Sequence, residues 1–388
     1  DGTIGIGAEA LASLTVGAQN VAIGYEALEE LTEGYNNVAL GYQAGTSISS
    51  TTSTDNTIVG DRAGTGGSGV MAYCTAIGSG ALNGTGTRNS TMNTAIGMNS
   101  MGGTFGGTVN YNTAVGGNTM TGALNAANYN VAVGYTTLQN LTTGDSNVAL
   151  GYQAGYSLTS GGSNVIIGHE AYRVGTNSTN VVIGSEAAKT TTNANDGVWI
   201  GASANKQGTG GGGGVIIGYT AGQYTQGTGM VHVGQFAGRY MSGSYNVFVG
   251  HDAGIGSATS APYGTGINNV GIGTDSLRSI TTGDRNTALG DNSGNNITTG
   301  EFNTYIGAYA KASAADVNDE IVLKAGTDAL LGGGTETIRI GVDSDYIVND
   351  FGENATWTHS SDRRIKKNIE DNDLGLEFIE KLRTRKFQ

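Results

Sequence analysis

The chain has 388 residues, of which 68 are glycine, one is proline and 13% are charged, and its formal net charge is −13. This composition excludes collagen and proline-rich linkers, and the charged fraction is too small for a chain kept soluble and disordered by charge. The negative charge argues against nucleic-acid binding through phosphates. The single cysteine, Cys74, excludes a disulfide framework.

One short phrase recurs from the first residues to about residue 310. It reads as a β-branched residue, any residue, then Ile, Val or Leu, an anchor glycine, and three places later Ala, Ser or Thr. Successive anchors lie 16 to 19 residues apart, except for one gap of 23. Repeats of this length are typical of solenoid coils. The eighteen anchors are Gly7, Gly24, Gly41, Gly60, Gly78, Gly97, Gly116, Gly134, Gly151, Gly168, Gly184, Gly201, Gly218, Gly234, Gly250, Gly273, Gly290 and Gly307.

Each copy predicts a short strand bounded by two bends. The alternating β-branched residues indicate the strand. Thirteen copies carry Asn four places before the anchor, and because Asn tolerates left-handed backbone we expect it to form one corner, with the glycine relaxing the next bend. The gap of 23 contains Pro262 and predicts an enlarged loop over residues 255–269.

The energetics of one coil predict association between chains. Two buried aliphatic side chains contribute about 1.5–3 kcal/mol each, whereas ordering the backbone costs about 1–2 kcal/mol per residue. Coils stacked at about 4.8 Å would form a rod of about 80 Å. We expect this thin core to need further chains packed side by side, with the Ala, Ser and Thr row at the contact.

Two identical nonapeptides, Asn-Val-Ala-Leu-Gly-Tyr-Gln-Ala-Gly at 37–45 and 147–155, and Asn-Val-Ala-Ile-Gly at 20–24, resemble the head repeats of trimeric autotransporter adhesins of the YadA type. The resemblance covers residues 1–310, although these coils are longer than the usual head repeat, and longer loops of this kind also suit viral fibres. It implies an all-β fold: a left-handed parallel β-roll, or β-solenoid, of about 18 coils in a homotrimer.

Residues 311–360 change character and predict a β-strand connector, expected to be interlaced between chains. Ile-Val-Leu-Lys at 321–324 and Thr-Ile-Arg-Ile at 337–340 alternate like ordinary strands, with a glycine turn at 332–334 between them. Farther on, the apolar spacing over 369–382 predicts an amphipathic C-terminal helix.

The nonapeptide Ser-Asp-Arg-Arg-Ile-Lys-Lys-Asn-Ile at 361–369 and the helical pattern after it resemble the opening of the intramolecular chaperone domain of phage tail fibres and spikes, the peptidase S74 family. The resemblance implies a single autoproteolytic cut between Ser361 and Asp362, with Ser361 as nucleophile and Lys366 as base. Thr384 stands where the family has Pro, and the chain ends 26 residues after Asp362, so residues 361–388 would be only the start of that domain. The alternative is a basic linker into a coiled-coil stub.

Aromatic residues directly follow several anchor glycines. Tyr25 and Tyr42 do so in adjacent coils, as do Tyr135, Tyr152 and His169. Equal positions on successive coils stack, so Tyr135, Tyr152 and His169 predict a ladder that contacts glycans, or alternatively one that only braces the surface.

Other patterns give no catalytic or metal site. The histidines His169, His232, His251 and His359 lie on different coils without ligand spacing, so we expect no metal and no cofactor. A polysaccharide-cleaving enzyme needs two carboxyl groups at about 5–9.5 Å, and a solvated acidic face is the favoured interpretation of the recurring carboxylates. These carboxylates include Glu9, Glu26, Glu170, Glu186 and Asp252.

The sequence therefore predicts a structural and adhesive fibre protein, a phage tail fibre or spike for host attachment, located on the virion tail. Its expected partners are two further copies of itself and a host-surface receptor, such as a glycan, without nucleic acid or membrane insertion. No substrate turnover is expected. The alternatives are the head of a bacterial trimeric autotransporter adhesin, on the bacterial surface, and a polysaccharide-degrading tail spike.

Overall fold

A computed structural model describes residues 2–192, 194–210, 212–256 and 263–352, and the backbone of strand Asn354–His359. All regular structure in these residues is β, which confirms the predicted fold class. The predicted helix over 369–382 lies outside the described residues.

The strands are β1 (Ile4–Ile6), β2 (Val16–Ala18), β3 (Val21–Ile23), β4 (Glu33–Tyr35), β5 (Val38–Leu40), β6 (Thr57–Val59), β7 (Met71–Ala72), β8 (Thr75–Ile77), β9 (Ser90–Thr91), β10 (Thr94–Ile96), β11 (Val109–Asn110), β12 (Thr113–Val115), β13 (Val131–Val133), β14 (Val148–Leu150), β15 (Val165–Ile167), β16 (Val181–Ile183), β17 (Val198–Ile200), β18 (Val215–Ile217), β19 (Val231–Val233), β20 (Val247–Val249), β21 (Val270–Ile272), β22 (Thr287–Leu289), β23 (Thr304–Ile306), β24 (Ala310–Lys311), β25 (Ile321–Ala325), β26 (Leu330–Leu331), β27 (Thr337–Val342), β28 (Asp345–Asp350) and β29 (Asn354–His359).

The chain forms a parallel β-solenoid of about nineteen coils. Each anchor glycine is preceded by one three-residue strand, and each such strand pairs in parallel with the corresponding strand of the next coil. The register places equal positions opposite each other, as for Val21 and Val38, so each repeat position becomes a row along the rod. The pairing of β20 with β21 keeps this register across the gap of 23 residues, as expected for an enlarged loop.

The parallel ladder continues past residue 310, where the sequence pattern indicated its end. Strand β25 pairs in parallel with β23 and adds a further coil. Strand β27 then pairs in parallel with β25, so the glycines at 332–334 do not form a hairpin turn between them. Strands β28 and β29 follow as antiparallel neighbours and end the sheet.

The side chains that face inward and outward are the reverse of those predicted. The middle residue of each strand, such as Ala22, Ile58 or Trp199, is buried inside the coil. The two flanking aliphatic residues, which we expected in the core, point outward, as Val38 and Leu40 do. Because side chains alternate along a strand, a three-residue strand can bury its centre or its flanks but not both on one face.

The row of small residues lies inside a single chain. Ala27, Ala44, Ala63 and Ala81, each three places after an anchor, are fully buried within the solenoid. The expectation that this row forms the contact between chains is therefore wrong. The narrow interior of the coil, rather than a neighbouring chain, explains the small side chains.

The predicted corner role of Asn is also wrong. The left-handed residue is the one before it, such as Gln19 at φ 61° or Asn36 at φ 60°. Asn37 is buried, and its backbone N and Nδ2 donate to Asn20 Oδ1 at 3.0 and 3.1 Å. The side chains thus form a buried amide ladder that joins successive coils.

The predicted glycine bend is confirmed. Gly24 has a φ of 138°, and a Cβ atom there would lie 2.2 Å from the carbonyl oxygen of Gly41. Only glycine permits both this backbone conformation and the close approach of the next coil.

In many coils the core side chains are complementary in size. Where the middle strand residue is Ala, as at Ala132, the interior is filled by a larger residue such as Leu138. Where it is large, a glycine leaves the space: a Cβ at Gly238 would lie 2.3 Å from His232, and one at Gly254 would lie 2.4 Å from Phe248. The filling still varies along the rod, since Ala39 with Gly45 combines two small residues and Ile166 with Tyr172 combines two large buried ones.

Candidate interaction surfaces

Two outward rows form one long apolar surface, which we call the aliphatic face. It consists of the residue directly before each anchor glycine, or before Lys324 in the last coil, and the residue two places earlier in the same strand. The second of these rows is Val, Ile or Thr, and none of the residues in either row is buried. The residues directly before the anchor position are Ile6, Ile23, Leu40, Val59, Ile77, Ile96, Val115, Val133, Leu150, Ile167, Ile183, Ile200, Ile217, Val233, Val249, Ile272, Leu289, Ile306 and Leu323.

The aliphatic face carries no charged side chain along its whole length. Nineteen coils at about 4.8 Å and strands of three residues at about 3.3 Å give it an area of about 900 Å². Contiguous apolar patches on soluble monomers rarely exceed a few hundred Å², and larger patches mark interaction sites.

The aliphatic face ends in an open apolar pocket of about 470 Å³. Ile306 and Leu323, the last members of the row before the anchor, line it together with Ile340 and Val342 of β27. The pocket therefore extends the aliphatic face into the strands that follow the solenoid.

The predicted aromatic ladder is present as a stack. The rings of Tyr135 and Tyr152 are 6.1 Å apart at 8°, and those of Tyr152 and His169 are 5.2 Å apart at 17°. Tyr25 and Tyr42 stack in the same way at 5.3 Å. The inner ring faces are turned toward each other, so a glycan would meet ring edges and hydroxyl groups. Glycan contact by this ladder stays a prediction.

A second row of exposed large side chains was not predicted from the sequence. It lies five places before the anchor, at the left-handed corner, and includes Tyr73, Met92, Tyr111 and Tyr129 in four consecutive coils, which we call the tyrosine corner. Left-handed backbone costs a bulky residue about 1–2 kcal/mol. Elsewhere this corner is mostly Asn, Asp, Ser, Thr or Gly. The bulky residues at this repeat position can be seen in the sequence, but only the structure shows that the position is exposed and has left-handed backbone.

The histidines do not form a metal site in the described residues. His232 is buried in the core against Phe248, without a hydrogen bond to either ring nitrogen, and burial lowers its pKa to about 3. His169 and His251 are exposed beside Glu170 and Asp252, at 4.0 and 3.6 Å. The side chain of His359 lies outside the described residues.

Some carboxylates that lie two places after an anchor glycine form ion pairs with lysine side chains. Glu186 pairs with Lys189 and Lys206, whose hydrogen bonds lower its pKa to about 2. Glu170 also pairs with Lys189, and that hydrogen bond lowers its pKa. Such bridged carboxylates serve as cross-coil contacts rather than as a catalytic acid pair.

One acidic cluster stands apart near the first coils. Glu9, Glu26 and Glu29 offer oxygens within 4.8 Å of one another. Glu26 accepts hydrogen bonds from Tyr25 and Gln43, which lower its pKa. The cluster lies on an outer turn, and no further feature of the described residues there indicates a ligand.

The predicted cleavage residues Ser361, Asp362 and Lys366 lie outside the described residues. Comparison with models of protein families, with curated proteins and with solved structures found no match. Within the described ranges, no helix is long and apolar enough to cross a membrane.

Proposed function

We propose that this chain is a structural segment of a homotrimeric fibre that attaches to a surface. The observation that supports this function is the aliphatic face, which runs the length of the solenoid without a charge. Its area of about 900 Å² is close to the roughly 800 Å² that each partner buries in a standard protein interface.

The geometry of the face favours copies that lie side by side with parallel axes. The equal register of successive strands makes the face a continuous strip along the rod, so a copy related by rotation about a parallel axis can cover it. If repeated rotation returns to the first subunit, the subunits form a closed ring, and no interface is left open for uncontrolled growth. Three copies are inferred from the resemblance of the repeats to YadA-type heads.

Host attachment by a phage tail fibre or spike is the role that we propose for this trimer. The resemblance of residues 361–369 to the start of an S74 chaperone supports a phage fibre over a bacterial adhesin, whose head repeats are similar. In this proposal the solenoid is scaffold and contact surface, and the chemistry is limited to one self-cleavage at Ser361.

Native mass measurement tests the trimer. We expect a species of three chains of 39.3 kDa each. Leu40→Lys together with Leu150→Lys places two charges on the aliphatic face and should dissociate it while leaving the β-sheet circular dichroism unchanged. The matched control is Thr143→Lys, which adds charge to an exposed position in the same coil as Leu150. A folded wild-type monomer would rule out the proposed assembly.

Self-cleavage is tested in the longer polypeptide that the S74 resemblance implies. We expect the wild type to separate into two bands on a denaturing gel, with the released piece beginning at Asp362. Ser361→Ala should remain uncut because it lacks the nucleophilic hydroxyl. Identical migration of the two proteins would show that no cut occurs at this bond.

A further inference from the structure

The tyrosine corner combines exposure with a strained backbone. Tyr73, Met92, Tyr111 and Tyr129 are 56%, 48%, 46% and 59% exposed, and their φ angles lie between 56° and 61°. The rings of Tyr111 and Tyr129 stack at 4.9 Å and 5°. Other coils have the same left-handed corner but hold it mostly with Asn, Asp, Ser, Thr or Gly, so these bulky exposed side chains occupy it at a cost of about 1–2 kcal/mol each without core packing in return.

The charge distribution around the tyrosine corner indicates what kind of partner it fits. Between residues 63 and 144 the only charged residue is Arg88, although the whole chain carries a net charge of −13. The tyrosine corner lies entirely within this neutral segment. Carboxylates stand at both ends of the row: Asp55 holds the corner position before Tyr73, and Asp145 Oδ1 accepts from Asn128 N at 2.6 Å beside Tyr129. A partner bound there would meet no charge within the row and negative charge at its ends, which favours an uncharged molecule over an acidic one.

Hydroxyl and amide side chains lie beside the tyrosine corner. Thr91 and Asn110 precede Met92 and Tyr111 and are half-buried. The Thr91 hydroxyl donates to Asn110 Oδ1 at 2.8 Å, and Asn110 N donates to Asn128 Oδ1 at 2.8 Å. Aromatic rings next to fixed hydrogen-bonding groups suit a ligand with both C–H surfaces and hydroxyl groups.

We propose that the tyrosine corner binds a neutral polysaccharide that lies along the axis of the solenoid. Ser146 follows Tyr129 in the row and is small, and Tyr129 is 59% exposed, so surface of its ring is available to a sugar. The strip extends over four coils, which suits a chain molecule rather than a single sugar. This inference rests on the proposed attachment role and names the chemistry of the receptor, at a surface different from the Tyr135 ladder.

The test measures binding of the whole chain to dextran, mannan and galactan, with polygalacturonate as the acidic comparison. We expect binding to at least one neutral polysaccharide, and a loss of about tenfold or more in Tyr111→Asn with Tyr129→Asn, because the stacked rings are removed. Asn accepts left-handed backbone, so this double variant should unfold at the same or a higher temperature than the wild type.

Tyr245→Asn is the matched control, since Tyr245 has the same corner position, is exposed and has a φ of 60° but lies outside the neutral segment. It should leave binding unchanged. Wild-type binding to no neutral polysaccharide, stronger binding to polygalacturonate, or an equal loss in Tyr245→Asn would overturn the inference. A changed native mass in the double variant would instead assign the corner to the contact between chains. The native mass of the wild type tests the fibre assembly separately from this inference.

Discussion

His232 shows how one buried residue can make the rod sensitive to pH. It lies between Ile216 and Phe248 in the row of middle strand residues, and glycines at 222 and 238 leave space for its ring. Neither ring nitrogen has a hydrogen-bonding partner. The imidazole is therefore stable in the core only in its neutral form.

We predict that acid weakens the wild type more than His232→Phe. Burial lowers the pKa of His232 to about 3 in the folded chain, whereas the unfolded value is about 6.5. Below that unfolded value only the unfolded chain binds the proton, so the stability contributed by neutral His232 is present above about pH 6.5 and decreases toward pH 3, by about 1.4 kcal/mol per pH unit.

Thermal unfolding followed by circular dichroism between pH 4 and 8 measures this effect. The difference in melting temperature between His232→Phe and the wild type should grow as the pH falls. His251→Phe, at an exposed position beside Asp252, is the control and should show no such trend. Parallel pH profiles for wild type and His232→Phe would contradict the prediction.

At the scale of one element, the buried amide ladder links successive coils through side-chain hydrogen bonds. Asn147 Nδ2 donates to Asn130 Oδ1 and to Gly161 O, both at 3.0 Å, and its own Oδ1 accepts from Asn164. Cys74 occupies the same position in another coil, where its backbone N donates to Asn56 Oδ1 at 3.0 Å and burial raises the pKa of its thiol.

We predict that Asn147→Ala destabilises the solenoid by about 1–3 kcal/mol, because it leaves buried groups of two neighbouring coils without partners. Urea unfolding measures the change. Asn140→Ala removes the same type of side chain from an exposed position close by and should change stability by less than about 0.5 kcal/mol. Equal effects of the two substitutions would show that the ladder does not stabilise the fold.

The pattern of strands and bends could be predicted from the sequence, but which strand residues face the interior could not. Alternation located the strand before each anchor glycine, yet the same alternation fits a strand that buries Val38 and Leu40 or one that buries Ala39. Hydrophobicity favours the first choice, and the structure adopts the second because the amide ladder and the Ala row fill the same narrow interior. A single chain's sequence contains no separate signal for a surface that another copy would cover.

At the scale of the whole molecule, the coils form one rod whose sides differ in character. The aliphatic face lies along one side, and the tyrosine corner and the Tyr135 ladder lie at its two margins. The sequence indicated the Tyr135 ladder through its position after the anchor glycines. It did not indicate the tyrosine corner, because exposure at that corner follows from the backbone conformation and not from the residue types.

Because every coil pairs in the same register, the rod can gain or lose whole coils during evolution. Each coil contacts its neighbours through the same rows, so a duplicated or deleted coil finds matching partners above and below. The identical nonapeptides at 37–45 and 147–155 occupy equivalent places in their coils. Reach can therefore be altered in increments of about 4.8 Å by changing the number of coils while the strand register is kept.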